Sequence, residues 1–169
     1  MTSDAPVPAA VALGANLGDR AGTIRAALGL LGGLPGTRVV HASDLFETPP
    51  VGPGEQGLYL NAAAVLETTL APQGLLDGML EIERALGRNR ARAERWGPRV
   101  IDLDLLLYGG ATLAEPGLQI PHPRMHERAF VLVPLAQVAG DWTVPGTGRT
   151  VGDLARGADA RGIVRFGRA

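Results

Sequence analysis

The sequence predicts an α+β fold, a single antiparallel sheet with two helices on the same face. Three observations predict it. Short apolar runs bounded by Gly and Pro mark strands. Two segments with apolar residues at helical spacing lie between them. The order is strand, helix, strand, strand, helix, strand, which puts both helices on one side of the sheet.

Ala9 to Gly14, "AAVALG", is short, apolar and closed by Gly, as a buried first strand is. Asp19 can cap the helix that follows, where Ile24, Ala27, Leu28 and Leu31 recur until Gly32 and Gly33 end the pattern. Val39 to Phe46 alternates as a second strand. Glu47 to Gly57, "ETPPVGPGEQG", is too rich in Pro and Gly for anything but a loop. Tyr59 to Thr69 reads as a third, long strand. Pro72 fits the first turn of a second helix, which carries Leu75, Leu76, Met79, Leu80 and Leu86 and stops at Gly87. A charged segment precedes a last strand, Val100 to Tyr108. This is the ferredoxin-like βαββαβ pattern. Residues beyond 110 read as an appendage with a short helix over Phe130–Val138 and a tail of no assigned structure. One sheet face is then free of the two helices, and function is expected there.

The 169 residues fit one domain, 1–169. A hydrophobic share of 46% supplies a core. A net charge of −1 argues against a general polyanion binder, so any basic patch must be local. With no cysteine, disulfides and thiolate metal sites are excluded. No basic segment leads into an apolar run at the N-terminus, and no run approaches the roughly 18 residues of a membrane span. A cytoplasmic monomer with neither nucleic-acid nor membrane partners is expected. The P-loop pattern, a Gly-rich dinucleotide fingerprint and H-E-x-x-H are all absent from the sequence.

Four constellations could carry chemistry. In "RVIDLDLLLYG", alternation sends Ile101, Leu103, Leu105 and Leu107 to one face and Val100, Asp102, Asp104 and Leu106 to the other. Two carboxylates roughly 6–7 Å apart repel by about 2–3 kcal/mol at an effective dielectric near 20. A cation would relieve that, and hard carboxylate oxygens suit Mg²⁺; the plain alternative is a solvated strand face. Before the strand, Arg88, Arg90, Arg92, Arg95 and Arg99 form a cationic segment. Guanidinium forks grip phosphate, although such a segment can equally be solvated or follow a nucleic-acid backbone. Glu83 falls on the apolar face of the second helix, where it either reaches out to water or accepts a hydrogen bond from a ligand. Tyr59 and Asn61 share a strand face and could receive a flat heterocycle, or be ordinary sheet residues.

The blocks "ETPP" with "YLNAA", "ERWGPRVIDLDLLLYG" and "IPHPRMHERAFVLVPL" closely resemble the 6-hydroxymethyl-7,8-dihydropterin pyrophosphokinases of folate biosynthesis. The resemblance runs from "ALGANLGD" to about Asp141. It implies a ferredoxin-like fold, ATP and 6-hydroxymethyl-7,8-dihydropterin as substrates, and two Mg²⁺ ions bound with ATP. By this resemblance Asp102 and Asp104 hold the metal. Arg88 and Arg99 stabilise the transferring diphosphate and the leaving AMP, and Arg90 or Arg92 supplies a further loop arginine. Trp96 helps cover the site. Tyr59 and Phe130 wall the pterin, and Asn61 with Thr48, Pro49, Pro50 and Val51 forms its hydrogen-bonding edge. Glu83, His122 and Arg128 match nucleotide-side positions. Pro123 departs from relatives with an aromatic residue after the His. A ferredoxin-like RNA-binding module and a regulatory domain with a degenerate site are the competing readings. An aromatic share of 4% disfavours the first, and the full set of site residues disfavours the second.

Overall fold

The computed structural model describes residues 2–51, 56–88 and 100–169. Strand β1 spans Thr2–Ala15 and helix α1 Arg20–Gly32. The Asp19 carboxylate accepts the Gly22 N–H at 3.0 Å and so caps α1. Strands β2 (Thr37–Ala42), β3 (Asp44–Thr48) and β4 (Tyr59–Leu70) follow. Helix α2 covers Pro72–Ala85, with proline in its first turn, and β5 covers Asp102–Tyr108. The expected βαββαβ core is present.

The stretch Val39 to Phe46 is two strands, not one. Ser43 interrupts it: its Oγ accepts the Ala63 N–H at 2.9 Å, taking the place of a backbone ladder bond. Both pieces pair with β4. The loop expected from Glu47 begins later, because β3 continues to Thr48.

Ile24, Ala27 and Leu31 of α1 and Leu75, Met79 and Ile82 of α2 pack on one sheet face with Val11, Leu13, Leu66, Leu103 and Leu105. The opposite face is free of α1 and α2, as expected, but the appendage covers part of it. Helix α3 (Ala129–Ala139) lies against it with Val131, Leu132 and Leu135, burying Ala10, Ala63, Val65, Leu106 and Leu107 in a second core. The physical reason is composition: "AFVLVPLAQVA" is apolar almost all round, and such a helix must be covered on several sides. Helix α4 (Val151–Gly157) covers its outer side.

The tail is also ordered. Hairpin strands β6 (Leu113–Glu115) and β7 (Leu118–Ile120) precede α3, and β8 (Thr143–Val144) pairs with β9 (Arg149–Thr150). Strand β10 (Val164–Arg168) pairs antiparallel with β3, giving the main sheet the order β10-β3-β4-β1-β5. Strand β10 escapes sequence reading because its partner β3 is more than a hundred residues away in the chain, whereas β6–β7 and β8–β9 are short local hairpins.

Alternation fails once in β5. Ala10 pairs with Leu107 but Val11 with Leu105, so Leu106 is an extra residue. This bulge sends both Leu106 and Leu107 to the α3 side, against the expectation that Leu107 would join the helix face with Leu105. Asp102 and Asp104 precede the bulge and keep the expected side.

Candidate active site

Helix α3 covers only part of its sheet face. The uncovered part is where β5 begins. Leu103 and Leu105 enter the first core, so Asp102 and Asp104 project from the other side. Register aligns this face across four strands. Phe46 stands opposite Asn61, Asn61 opposite Gly14, and Gly14 opposite Asp102. One row further, Ala63, Ala12 and Asp104 align in the same way. At about 4.8 Å per strand, roughly 10 Å separates the Asn61 and Asp102 backbones. Between them the floor carries only Gly and Ala. A Cβ on Gly14 would lie 2.9 Å from Asn61 Oδ1 and 3.8 Å from Tyr59 Cδ1. Glycine there keeps a trough open between the amide and the carboxylates.

On the amide side, Asn61 Nδ2 donates to Thr48 Oγ1 at 2.6 Å, and both residues are buried. With that assignment the Asn61 carbonyl oxygen turns toward Gly14 and the trough. Tyr59 pairs with Thr48 at the end of the β3–β4 ladder. Pro49 and Val51 are exposed beyond it, and Pro50 is half-buried.

On the carboxylate side, Arg88 is buried at the end of the turn after α2. One of its terminal nitrogens donates to Asp102 Oδ1 at 2.5 Å and to Glu83 Oε2 at 2.7 Å. Burial opposes the Arg88 charge, but Asp102 and Glu83 outweigh it and hold its pKa above the ordinary value. Its Nε is buried and has no hydrogen-bond partner among the described residues. Glu83 is only 2% exposed and also accepts the Leu103 N–H at 2.9 Å. It does not reach out to water. Its position on the apolar face of α2 is explained by this joint to Arg88 and to the start of β5.

Asp104 is partly exposed in the cleft. Burial first, and then the charge of Asp102, push its carboxyl up to about 7, with Arg128 and Arg88 opposing. His122 Nε2 lies 3.9 Å from Asp104 Oδ1. The His122 N–H is fixed to Leu106 O at 2.9 Å, and its Nδ1 accepts the Arg124 N–H at 3.2 Å. That bond assigns the ring proton to Nε2, on the Asp104 side, while the ring is neutral. Burial and Arg128 both lower the His122 pKa. The Arg128 guanidinium sits 5.7 Å from the Phe130 ring centroid, and Phe130 lies half-buried at the start of α3 against the second core.

The structure therefore gathers Thr48, Tyr59 and Asn61 at one end of a trough, and Arg88, Asp102, Asp104, His122 and Arg128 at the other. Arg90, Arg92, Trp96 and Arg99 lie outside the described residues. Sequence reading missed Gly14 as the trough floor. The available signal was a lone Gly inside a strand run, which marks a close approach.

Comparisons with known proteins fit this geometry. The family model for 7,8-dihydro-6-hydroxymethylpterin-pyrophosphokinase (HPPK) matches residues 10–140. The chain belongs to the HPPK family. It is 48% identical to 2-amino-4-hydroxy-6-hydroxymethyldihydropteridine pyrophosphokinase of Methylorubrum extorquens, over 90% of this chain and 94% of that one. The Pseudomonas aeruginosa enzyme of the same name is 45% identical over 92% of this chain and 94% of its own. Among solved structures, wild-type Plasmodium falciparum HPPK-DHPS superposes with a TM-score of 0.71 at 14% identity. It covers 90% of this chain, while this chain spans 44% of that one. At that identity the likeness concerns the fold alone. Membership of the HPPK family sets aside the RNA-binding reading.

Proposed function

We propose that this HPPK-family protein transfers the β,γ-diphosphate of ATP to the hydroxymethyl group of 6-hydroxymethyl-7,8-dihydropterin in folate biosynthesis, releasing AMP. The observation that carries the reading is the trough itself. Two aspartates and three basic side chains stand at one end, and a buried amide with an aromatic neighbour stands at the other.

The donor set fits Mg²⁺. Asp102 and Asp104 share a face, and the Asp104 carboxyl is pushed up by burial first and by the charge of Asp102 second, so a cation bound there would relieve the cost of ionising it. Mg²⁺ needs only one or two carboxylates and takes further oxygens from water and phosphate. Asp102 and Asp104 would hold the two ions, which when bound would neutralise phosphate charge and acidify the attacking hydroxyl.

The chain's own groups supply the rest. Asn61 offers its carbonyl to ring N–H groups from the floor of the trough, and Tyr59 adds an aromatic face beside it. Phe130 is the second wall in this reading. Thr48 holds the Asn61 amide, so little ordering remains to be done when the ring binds. Arg88 brings a permanent positive charge to the Asp102 end, where charge shifts onto the leaving nucleotide oxygen. Glu83 acts through Arg88 by holding its guanidinium. Arg128 and the Nε2 proton of His122 point positive character toward the same end. Arg99, Trp96 and either Arg90 or Arg92 complete the nucleotide side in the family pattern. No side chain needs to serve as a strong base.

The test is product analysis with ATP, Mg²⁺ and the pterin. AMP that forms only when metal and pterin are both present supports the reading. ADP in place of AMP would mean transfer of a single phosphoryl group, and the diphosphate assignment would be wrong.

A further inference from the structure

Arg20 opens α1 on the helix side of the sheet, opposite the trough. It joins three pieces of chain that are far apart in sequence. One terminal nitrogen donates to Leu58 O at 2.7 Å and the other to Glu47 Oε2 at 3.0 Å. The guanidinium lies 5.7 Å from the ring centroid of Phe166 on β10.

The register gives this joint its meaning. Glu47 and Leu58 immediately precede Thr48 and Tyr59, the last opposed pair of the β3–β4 ladder. Thr48 orients the Asn61 amide, and Tyr59 lies beside the trough floor. Arg20 therefore grips both strands one residue before the side chains assigned to the pterin. The grip is partly buried, with 24% and 31% of the Arg20 and Glu47 side chains exposed. Water screens such a pair less than a fully exposed one.

The C-terminal strand reinforces the grip. Val164 pairs with Glu47 and Arg165 with Phe46, and the register then slips by one residue around Phe166. That slip leaves Phe166 outside the regular pairing, with its ring over Arg20. Further back, a Cβ on Gly162 would lie 2.9 Å from Pro49 Cγ, so the tail also packs closely on the residue after Thr48. Strand β10 lies beyond the residues 10–140 that the family model matches.

We propose that Arg20 is a positioning residue for the pterin end of the site, clamping the β3–β4 end that presents Thr48 and Tyr59, with Phe166 of the C-terminal strand seating its guanidinium. The inference rests on the pterin reading above. Arg20 stands on the far side of the sheet from substrate, so its loss acts through these neighbours.

The experiment is steady-state kinetics with direct binding of an ATP analogue, on wild type, Arg20→Met, Phe166→Leu, Phe166→Tyr and the Arg20→Met/Phe166→Leu double variant. Arg20→Met should raise the pterin KM by roughly tenfold with a smaller change in kcat. Affinity for the ATP analogue should not change. Phe166→Leu should raise the pterin KM less, Phe166→Tyr should restore it, and the double variant should be no worse than Arg20→Met alone. Should Arg20→Met fail to fold, the exposed Phe166 pair still decides the matter: equal pterin KM for Phe166→Leu and wild type overturns the clamp. A pterin KM unchanged in a folded Arg20→Met, or a matching loss of ATP-analogue affinity, also overturns it. Wild type that makes no AMP with the pterin would overturn the functional reading, and this inference with it.

Discussion

Arg88 donates to Asp102 at 2.5 Å from inside the protein, while Asp104, two residues along the same face, has His122 Nε2 at 3.9 Å as its neighbour. The two carboxylates are therefore not equivalent. One already shares its charge with a buried guanidinium. The other stands in a partly desolvated cleft with its pKa pushed up to about 7.

Removing either charge should stop turnover. Asp102→Asn and Asp104→Asn should each lower kcat by at least roughly 10²–10³-fold, the scale of losing one major electrostatic contact in a transition state. Circular dichroism should show both variants folded. Near-normal kcat in either folded variant would remove that aspartate from the metal assignment.

The raised pKa of Asp104 has a stability consequence of definite sign. Its ordinary value is 3.8 and its folded value about 7. Between those values the folded chain keeps a proton that the unfolded chain has released. Stability therefore falls as pH rises through that window, and the cost is fully present above it. Asp104→Asn removes the cost. Without metal, this variant should melt above wild type at about pH 8, and the gap should close as pH falls toward 4. Mg²⁺ binding to wild type should weaken below about pH 7, because the ion competes with the proton. A melting gap independent of pH would contradict this account.

Glu83 should matter for stability as well as rate. Glu83→Ala leaves Arg88 buried with one carboxylate partner fewer. Breaking a buried pair in this way costs about 3–5 kcal/mol. Urea unfolding measures it. A loss under about 1 kcal/mol would mean that Arg88 finds a new partner or reaches water.

How much of this was legible in the sequence differs between residues. Asp102 and Asp104 were placed correctly because strand alternation is local and the bulge comes after them. Leu107 was misplaced because the extra residue at Leu106 is set by pairing with β1, which no local pattern reveals. The covering of the second sheet face by α3 could have been read from its all-round apolar composition. The pairing of β10 with β3 could not, since "VRFGR" is short and charged and gains its strand geometry from a distant partner. Glu83 was correctly marked as out of place, but its joint to Arg88 and the Leu103 N–H needs three-dimensional proximity.

Gly14 tests the trough. Gly14→Ala puts a methyl group 2.9 Å from Asn61 Oδ1, so the Asn61 side chain must move. The fold should tolerate this, because only the end of a side chain is displaced. The pterin KM should rise by roughly tenfold or more while ATP-analogue affinity stays level. An unchanged pterin KM would mean that the ring does not lie over Gly14.

The most direct test of the central claim follows the β-phosphorus. The protein is incubated with ATP radiolabelled at the β position, Mg²⁺ and 6-hydroxymethyl-7,8-dihydropterin, and the products are separated. The account predicts that the label moves to the pterin and that the nucleotide product is unlabelled AMP. Label retained in ADP, with a singly phosphorylated pterin, would contradict it.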